Sequence, residues 1–91
     1  MASGEKLTTK VQINNEHGLH TRPATMIVQL LQNSKSSVYF TYQKQTINAK
    51  SILSLLMLAV KPKGKITISV EGEDARKTLN DLVLAFEEGF E

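Results

Sequence analysis

The spacing of apolar residues changes along the chain, and each change marks a new element. From Leu7 to Asn14 the residues alternate, with Leu7, Thr9, Val11 and Ile13 on one side and Thr8, Lys10, Gln12 and Asn14 on the other. A period of two predicts a half-buried strand. Residues 15–19 read as a loop, in which Gly18 supplies backbone freedom. Over 21–33 the period lengthens: Ala24, Ile27, Val28 and Leu31 fall at i, i+3, i+4 and i+7, and Met26 and Leu30 widen the stripe. That is the pattern of an amphipathic helix. Residues 34–37 form a polar break, and the β-branched and aromatic run Val38-Tyr39-Phe40-Thr41-Tyr42 predicts a strand. Gln43-Lys44-Gln45 then turns into a short strand, Thr46-Ile47-Asn48.

The second half repeats the alternation of element types. Residues 51–60 are dominated by Leu, Met and Ala and predict a helix, stopped by Lys61-Pro62-Lys63-Gly64. Ile66, Ile68 and Val70 alternate with Lys65, Thr67 and Ser69, a fourth strand. Glu71-Gly72-Glu73-Asp74 reads as a turn whose acidic charge suits the start of the next helix. That helix spans 75–86, with Ala75, Leu79, Leu82, Val83 and Phe86 on its apolar face, and the tail 87–91 is expected to fray. The order β-α-β-β-α-β-α, with helices over one apolar sheet face, makes a two-layer α+β sandwich. There is no internal repeat, linker or low-complexity segment.

Composition narrows the function classes. The 91 residues suit one domain, 1–91, and 41% hydrophobic with 22% charged residues is ordinary for a globular chain. The absence of cysteine excludes a disulfide framework, a thiolate zinc site and cysteine catalysis. Residues 1–6 lack the apolar core of a signal peptide, and no apolar run approaches the roughly 18 residues of a membrane span. The expected location is the cytoplasm, without membrane insertion. A net charge of +2, aromatics at 5% and dispersed basic residues point away from nucleic acid.

The candidate chemistry lies in Gly18-Leu19-His20-Thr21-Arg22-Pro23-Ala24. Pro23 is tolerated in the first turn of a helix, where its missing N–H breaks no intrahelical bond. His20 then sits beside the unpaired N–H groups and the positive dipole end, a place that welcomes anions and above all phosphate. Arg22 adds a planar fork for phosphate oxygens, although a residue before proline is biased away from helical angles. Either His20 or Arg22 is therefore the helix cap. From spacing alone, a capping or half-buried histidine without chemistry is the competing reading.

This segment resembles the active-site segment of the HPr family, the histidine-containing phosphocarriers of the bacterial sugar phosphotransferase system. Asn48-Ala49-Lys50-Ser51-Ile52 resembles the family segment bearing a regulatory serine. Ile66-Thr67-Ile68-Ser69-Val70-Glu71-Gly72-Glu73-Asp74 resembles its last strand and the turn into its last helix. The three blocks stand in the family's order and spacing over nearly the whole chain. The resemblance implies an open four-stranded antiparallel sheet with three helices on one side. It also implies that His20, through Nδ1, accepts a phosphoryl group from phosphorylated enzyme I, which draws on phosphoenolpyruvate. The group then passes to an enzyme II A-type domain. Such a carrier turns over no substrate alone and needs no metal or cofactor.

Other residues take their roles from the same resemblance. Arg22 is expected to contact the phosphoryl group, and Thr21 to offer a hydroxyl or backbone contact. Ser51 has a structural reading as N-cap and a regulatory one as the substrate of an HPr kinase/phosphorylase. Thr21, Lys50, Ile52, Leu53 and Leu56 are docking candidates. The helix over 51–60 is too apolar all round to be wholly buried, and Leu53 and Leu56 stand where the family often has methionine. Two departures are visible: Ser54 replaces a frequent glycine, and His17 stands where a small polar residue is usual. His17 reads as a solvated loop histidine, able to tune His20 if it approaches. A monomer with transient contacts is expected. The alternative function is a regulatory interaction protein of a nitrogen-type or incomplete phosphotransferase system.

Overall fold

A computed structural model describes residues 4–90. Met1, Ala2 and Ser3 of the N-terminal segment, and Glu91 of the tail, lie outside the described residues. The elements are β1 (Glu5–Gln12), α1 (Thr21–Leu31), β2 (Ser37–Tyr42), β3 (Gln45–Asn48), α2 (Ile52–Leu58), β4 (Lys65–Gly72) and α3 (Ala75–Glu87). Four antiparallel strands form one open sheet in the order β1-β4-β2-β3. The last strand in the chain is thus inserted between the first and second, with Leu7 opposite Val70 on one side and Val38 opposite Val70 on the other.

Alternation decides which face is covered. Ile66, Ile68 and Val70 of β4 and Val38 and Phe40 of β2 are fully buried, while Tyr39, Thr67 and Ser69 stay at least partly open. Against the buried face, α3 packs on β1 and β4, α2 packs on β3, and α1 lies against both helices. The α1 stripe is buried at Ala24, Ile27 and Leu31, as its spacing predicts, with Pro23 enclosed beside them. Among the described residues, no helix is long and apolar enough to cross a membrane.

Beyond shifts at strand ends, with β1 at Glu5–Gln12 rather than 7–14 and β2 starting at Ser37, five differences from the sequence reading have a clear local reason. The β2–β3 connection is only Gln43-Lys44, both at positive φ (49° and 70°) as a type I′ hairpin turn requires, so Gln45 already pairs with Tyr42. Glu71 and Gly72 belong to β4 rather than to a turn, because β1 begins early enough for Lys6 and Glu5 to pair with them. Helix α1 ends at Leu31, where the Ser34 N–H reaches back to the Leu31 carbonyl. Helix α2 stops at Leu58 because Ala59 turns left-handed (φ 54°), ahead of the Lys61-Pro62 stop.

The fifth difference is the tail, which does not fray through Phe90. Gly89 is left-handed (φ 69°), the Phe90 N–H bonds to the Ala85 carbonyl at 3.1 Å and the Gly89 N–H to the Phe86 carbonyl at 3.2 Å. These two bonds are the Schellman ending of a helix, which places a hydrophobic residue just past glycine against the last turns. Phe90 fills that place: it is 3% exposed, and its ring meets Phe86 edge-on at 4.9 Å.

Asp74 stands where acidic charge is expected, at the start of α3, but its carboxylate turns elsewhere. It stands at the N-cap position of α3 but makes no side-chain cap bond there. Its carboxylate instead accepts from Ser36 Oγ, from the Lys35 N–H at 2.9 Å and from Ser34 Oγ at 3.4 Å. The knot ties the α1–β2 loop to the start of α3, and the Ser36 hydroxyl, followed by the Lys35 N–H, holds the Asp74 carboxyl below its ordinary pKa.

Two outcomes follow. Phe90→Ala should destabilise the protein by about 3 kcal/mol in urea unfolding at neutral pH, the scale of a buried aromatic truncation. A carboxyl with a depressed folded pKa stabilises the fold above its unfolded pKa, and that contribution disappears as pH falls through the folded value. Wild type should therefore lose more stability than Asp74→Asn between about pH 5 and pH 2. Parallel urea midpoints for the two proteins across that window measure the difference.

Candidate functional site

The loop between β1 and α1 is held from behind by the segment that follows α2. Ile13 donates its N–H to the Gly64 carbonyl at 2.9 Å and accepts from the Lys63 N–H at 2.8 Å. Leu19 donates its N–H to the Val60 carbonyl at 2.9 Å, and its side chain is buried. Between these ties Gly18 takes φ +68°, and a Cβ added there would lie 2.2 Å from the Val60 carbonyl oxygen. Glycine is the residue that satisfies both the left-handed angle and the close approach.

That clamp aims the next residue at the start of α1. His20 is the cap residue, with extended angles (φ −97°, ψ −164°), which settles the choice between His20 and Arg22. Its carbonyl accepts the Ala24 N–H at 3.0 Å, while its imidazole makes no cap bond. The ring is half-buried and has no hydrogen bond among the described residues, so it is not spent on capping. The N–H groups of Thr21 and Arg22 have no intrahelical partner by position, and Pro23 has none to offer. No acidic side chain occupies the first turn. Arg22 is exposed and takes part in none of the ion pairs among the described residues, which join Lys35 to Glu73, Arg76 to Glu5 and Lys77 to Asp81.

His17 is the unexpected neighbour. Its ring stands at 89° to that of His20 with centroids 5.5 Å apart. Both rings line a shallow depression of about 200 Å³ together with Asn15, Glu16, Arg22, Gly89 and Phe90. The far wall comes from the end of α3, and Asn15 Nδ2 fastens it by donating to the Gly89 carbonyl at 2.7 Å. The other amide atom, Asn15 Oδ1, is buried without a partner among the described residues. Sequence reasoning missed Asn15, Gly89 and Phe90 in this wall; the available signal was a glycine followed by an aromatic at a helix end.

The remaining candidates lie around α2. Ser51 caps that helix, its hydroxyl accepting the Ser54 N–H at 3.2 Å. Lys50 is exposed, but its ammonium donates to the Ser34 carbonyl at 2.8 Å, so it braces the α1–β2 loop. Leu55 and Leu58 face the core, whereas Ile52 (40% exposed), Leu53 (64%), Leu56 (36%) and Met57 (72%) form an open apolar face. Met57, the most exposed of them, was not among the docking candidates; spacing alone does not say which side of an all-apolar helix meets the core. Thr21 is exposed at the foot of α1, its carbonyl accepting from Thr25 Oγ1 at 2.8 Å.

Among the described residues, then, this surface brings together a histidine ring without a hydrogen bond, a guanidinium outside the ion pairs and helix N–H groups free by position, features suited to an anion. A family model described as the PTS HPr component phosphorylation site matches residues 7–88. The phosphocarrier protein HPr of Chlamydia pneumoniae is 40% identical over 86 residues, covering 94% of this chain and 80% of that protein. Among solved structures, HPr-C-His from Thermoanaerobacter tengcongensis superposes with a TM-score of 0.89 at 31% identity, covering 92% of this chain and 94% of that one. The phosphocarrier protein HPr of Bacillus anthracis gives 0.84 at 32% identity, covering 89% and 96% respectively. The chain belongs to the HPr family of phosphocarrier proteins.

Gly18→Ala should cost about 2–3 kcal/mol, combining a left-handed alanine with a collision against a backbone carbonyl. A urea midpoint measures the loss. Faster amide exchange at Leu19, whose N–H bonds to Val60, would locate it at the clamp.

Proposed function

We propose that the chain, acting as one HPr-like domain over 1–91, carries a phosphoryl group on His20 between enzyme I and enzyme II A-type domains in the cytoplasm. The observation that carries this reading is the free His20 imidazole beside the unpaired Arg22 fork and the Thr21 and Arg22 N–H groups. The nucleophile is assigned to Nδ1 by resemblance to the family. In the neutral ring with its proton on Nε2, the Nδ1 lone pair attacks phosphorus. The bond from phosphorus to the enzyme I donor atom breaks, and its electron pair stays on the donor. Charge on the phosphoryl oxygens then falls to the helix N–H groups, the Thr21 hydroxyl and the Arg22 fork. These contacts sit at an open surface, so they hold the group without burying it, and a second partner can remove it by the reverse chemistry.

Docking is assigned to Thr21, Lys50 and the α2 face of Ile52, Leu53 and Leu56, extended here to Met57. Four apolar side chains on a seven-residue helix keep 36% to 72% of their surface open, which supports contact with a partner. Phosphorylation of Ser51 by an HPr kinase/phosphorylase would put charge at the edge of that face and repel an apolar partner. The carrier works as a monomer with transient contacts.

With enzyme I and labelled phosphoenolpyruvate, wild type should take up acid-labile label and His20→Ala none; label retained on folded His20→Ala overturns the site. Arg22→Ala should slow uptake by about tenfold or more, the scale of losing one charged donor from a developing oxyanion. Leu53→Asp should leave the fold intact and weaken enzyme I binding by about tenfold, seen as a raised KM with kcat little changed.

A further inference from the structure

We infer that His17 is a pH-sensing positioning partner of His20: in its protonated form the ring donates a hydrogen bond to a phosphoryl group on His20, so that phosphorylation of His20 and protonation of His17 strengthen each other. The inference rests on the reading of His20 as the phosphoryl acceptor.

Three observations carry it. The two rings meet edge to face at 5.5 Å between centroids, with their planes at 89°. At that separation the two rings share one stretch of surface, so a phosphoryl group carried by His20 enters the space beside His17. Second, His17 is exposed and its side chain has no hydrogen-bond partner among the described residues. Third, both rings open into one depression with Arg22 and Glu16, so an anion held there meets His17 and Arg22 together.

Charge gives the coupling its sign. A neutral imidazole has one N–H donor, and the protonated ring has two together with a positive charge. Histidine is the side chain that makes this change near neutral pH. The charged groups around His17 are Glu16 beside it, His20 and Arg22 at the start of α1, Lys61 behind Gly18, and Glu87 and Glu88 just before Gly89. An anion arriving on His20 adds an attraction for a proton on His17. By reciprocity, a protonated His17 raises the affinity of His20 for the phosphoryl group by the same factor. A small polar residue in place of His17 could donate a hydrogen bond, but it would not respond to pH.

The test uses the whole wild-type protein and phosphoramidate, a small phosphoryl donor that requires no partner enzyme. Histidine ring resonances are followed by 1H–15N NMR, and phosphorus by 31P NMR, between about pH 5 and 8.5 before and after phosphorylation. The expected result is a phosphoryl group on His20 and an upward move of the His17 titration midpoint. The move should correspond to about threefold or more in proton affinity, less than a buried pair at this separation would give because His17 is exposed to salt. His17→Asn provides the second measurement. Relative to that variant, wild type should hold a larger share of phosphoryl groups at equilibrium with enzyme I at pH 6 than at pH 8. Phosphorylated His20 with an unmoved His17 midpoint overturns the inference and leaves the carrier reading standing. Absence of phosphate on His20, or its appearance on His17 instead, overturns the carrier reading and the inference with it.

Discussion

The close approach of Gly18 to the Val60 carbonyl is the constraint on which the site depends. One carbonyl oxygen receives the Leu19 N–H at 2.9 Å and leaves no room for a Cβ on the preceding residue. The contact joins the end of one helical segment to the beginning of another. Because α2 stops early, at Leu58, the Val60 carbonyl is free of intrahelical bonding and available to the loop. The left-handed Ala59 therefore does more than end a helix: it releases the acceptor that sets the direction of His20.

A second restraint comes from the opposite side. The Schellman ending of α3 turns Phe90 into the core and exposes the Gly89 carbonyl to Asn15. The histidine loop is thus fastened at the Val60 segment and at the α3 terminus, with His17 and His20 in the depression between them. A carrier must present a reactive ring to solvent without letting its loop wander. Backbone hydrogen bonds and a buried aromatic hold the loop, so the imidazoles and Arg22 need no internal partners. The side chains proposed to bear the chemistry carry none of the support.

The same separation of duties runs through α2. Leu55 and Leu58 secure the helix to the core, and Ser51 caps it, while Leu53 and Met57 remain open. An open apolar face costs solubility, and the proposed docking gives it a use. The Ser34, Ser36 and Asp74 knot and the Lys50 brace stabilise the far end of α1 in a similar way, with polar groups satisfying one another across loops.

Much of this was legible from residue order. Alternation in β1 and β4 and the i, i+3, i+4 stripe of α1 named the elements, because burying one face imposes a period that survives in the sequence. Gly18, His20, Arg22 and Pro23 marked the loop and helix start on which the proposed site rests, since each residue type answers a local backbone or chemical demand. What local order does not encode is contact between distant segments. The Schellman turn had a local signal in Gly89-Phe90, but its meaning required a core for Phe90 to enter. The choice of Leu55 and Leu58 as the inner face of α2, the turning of Asp74 away from its own helix, and the meeting of His17 with His20 were decided by tertiary packing. In each case the partners come from separate elements, or the loop between them is shaped by one, and periodicity carries no record of which surfaces will meet.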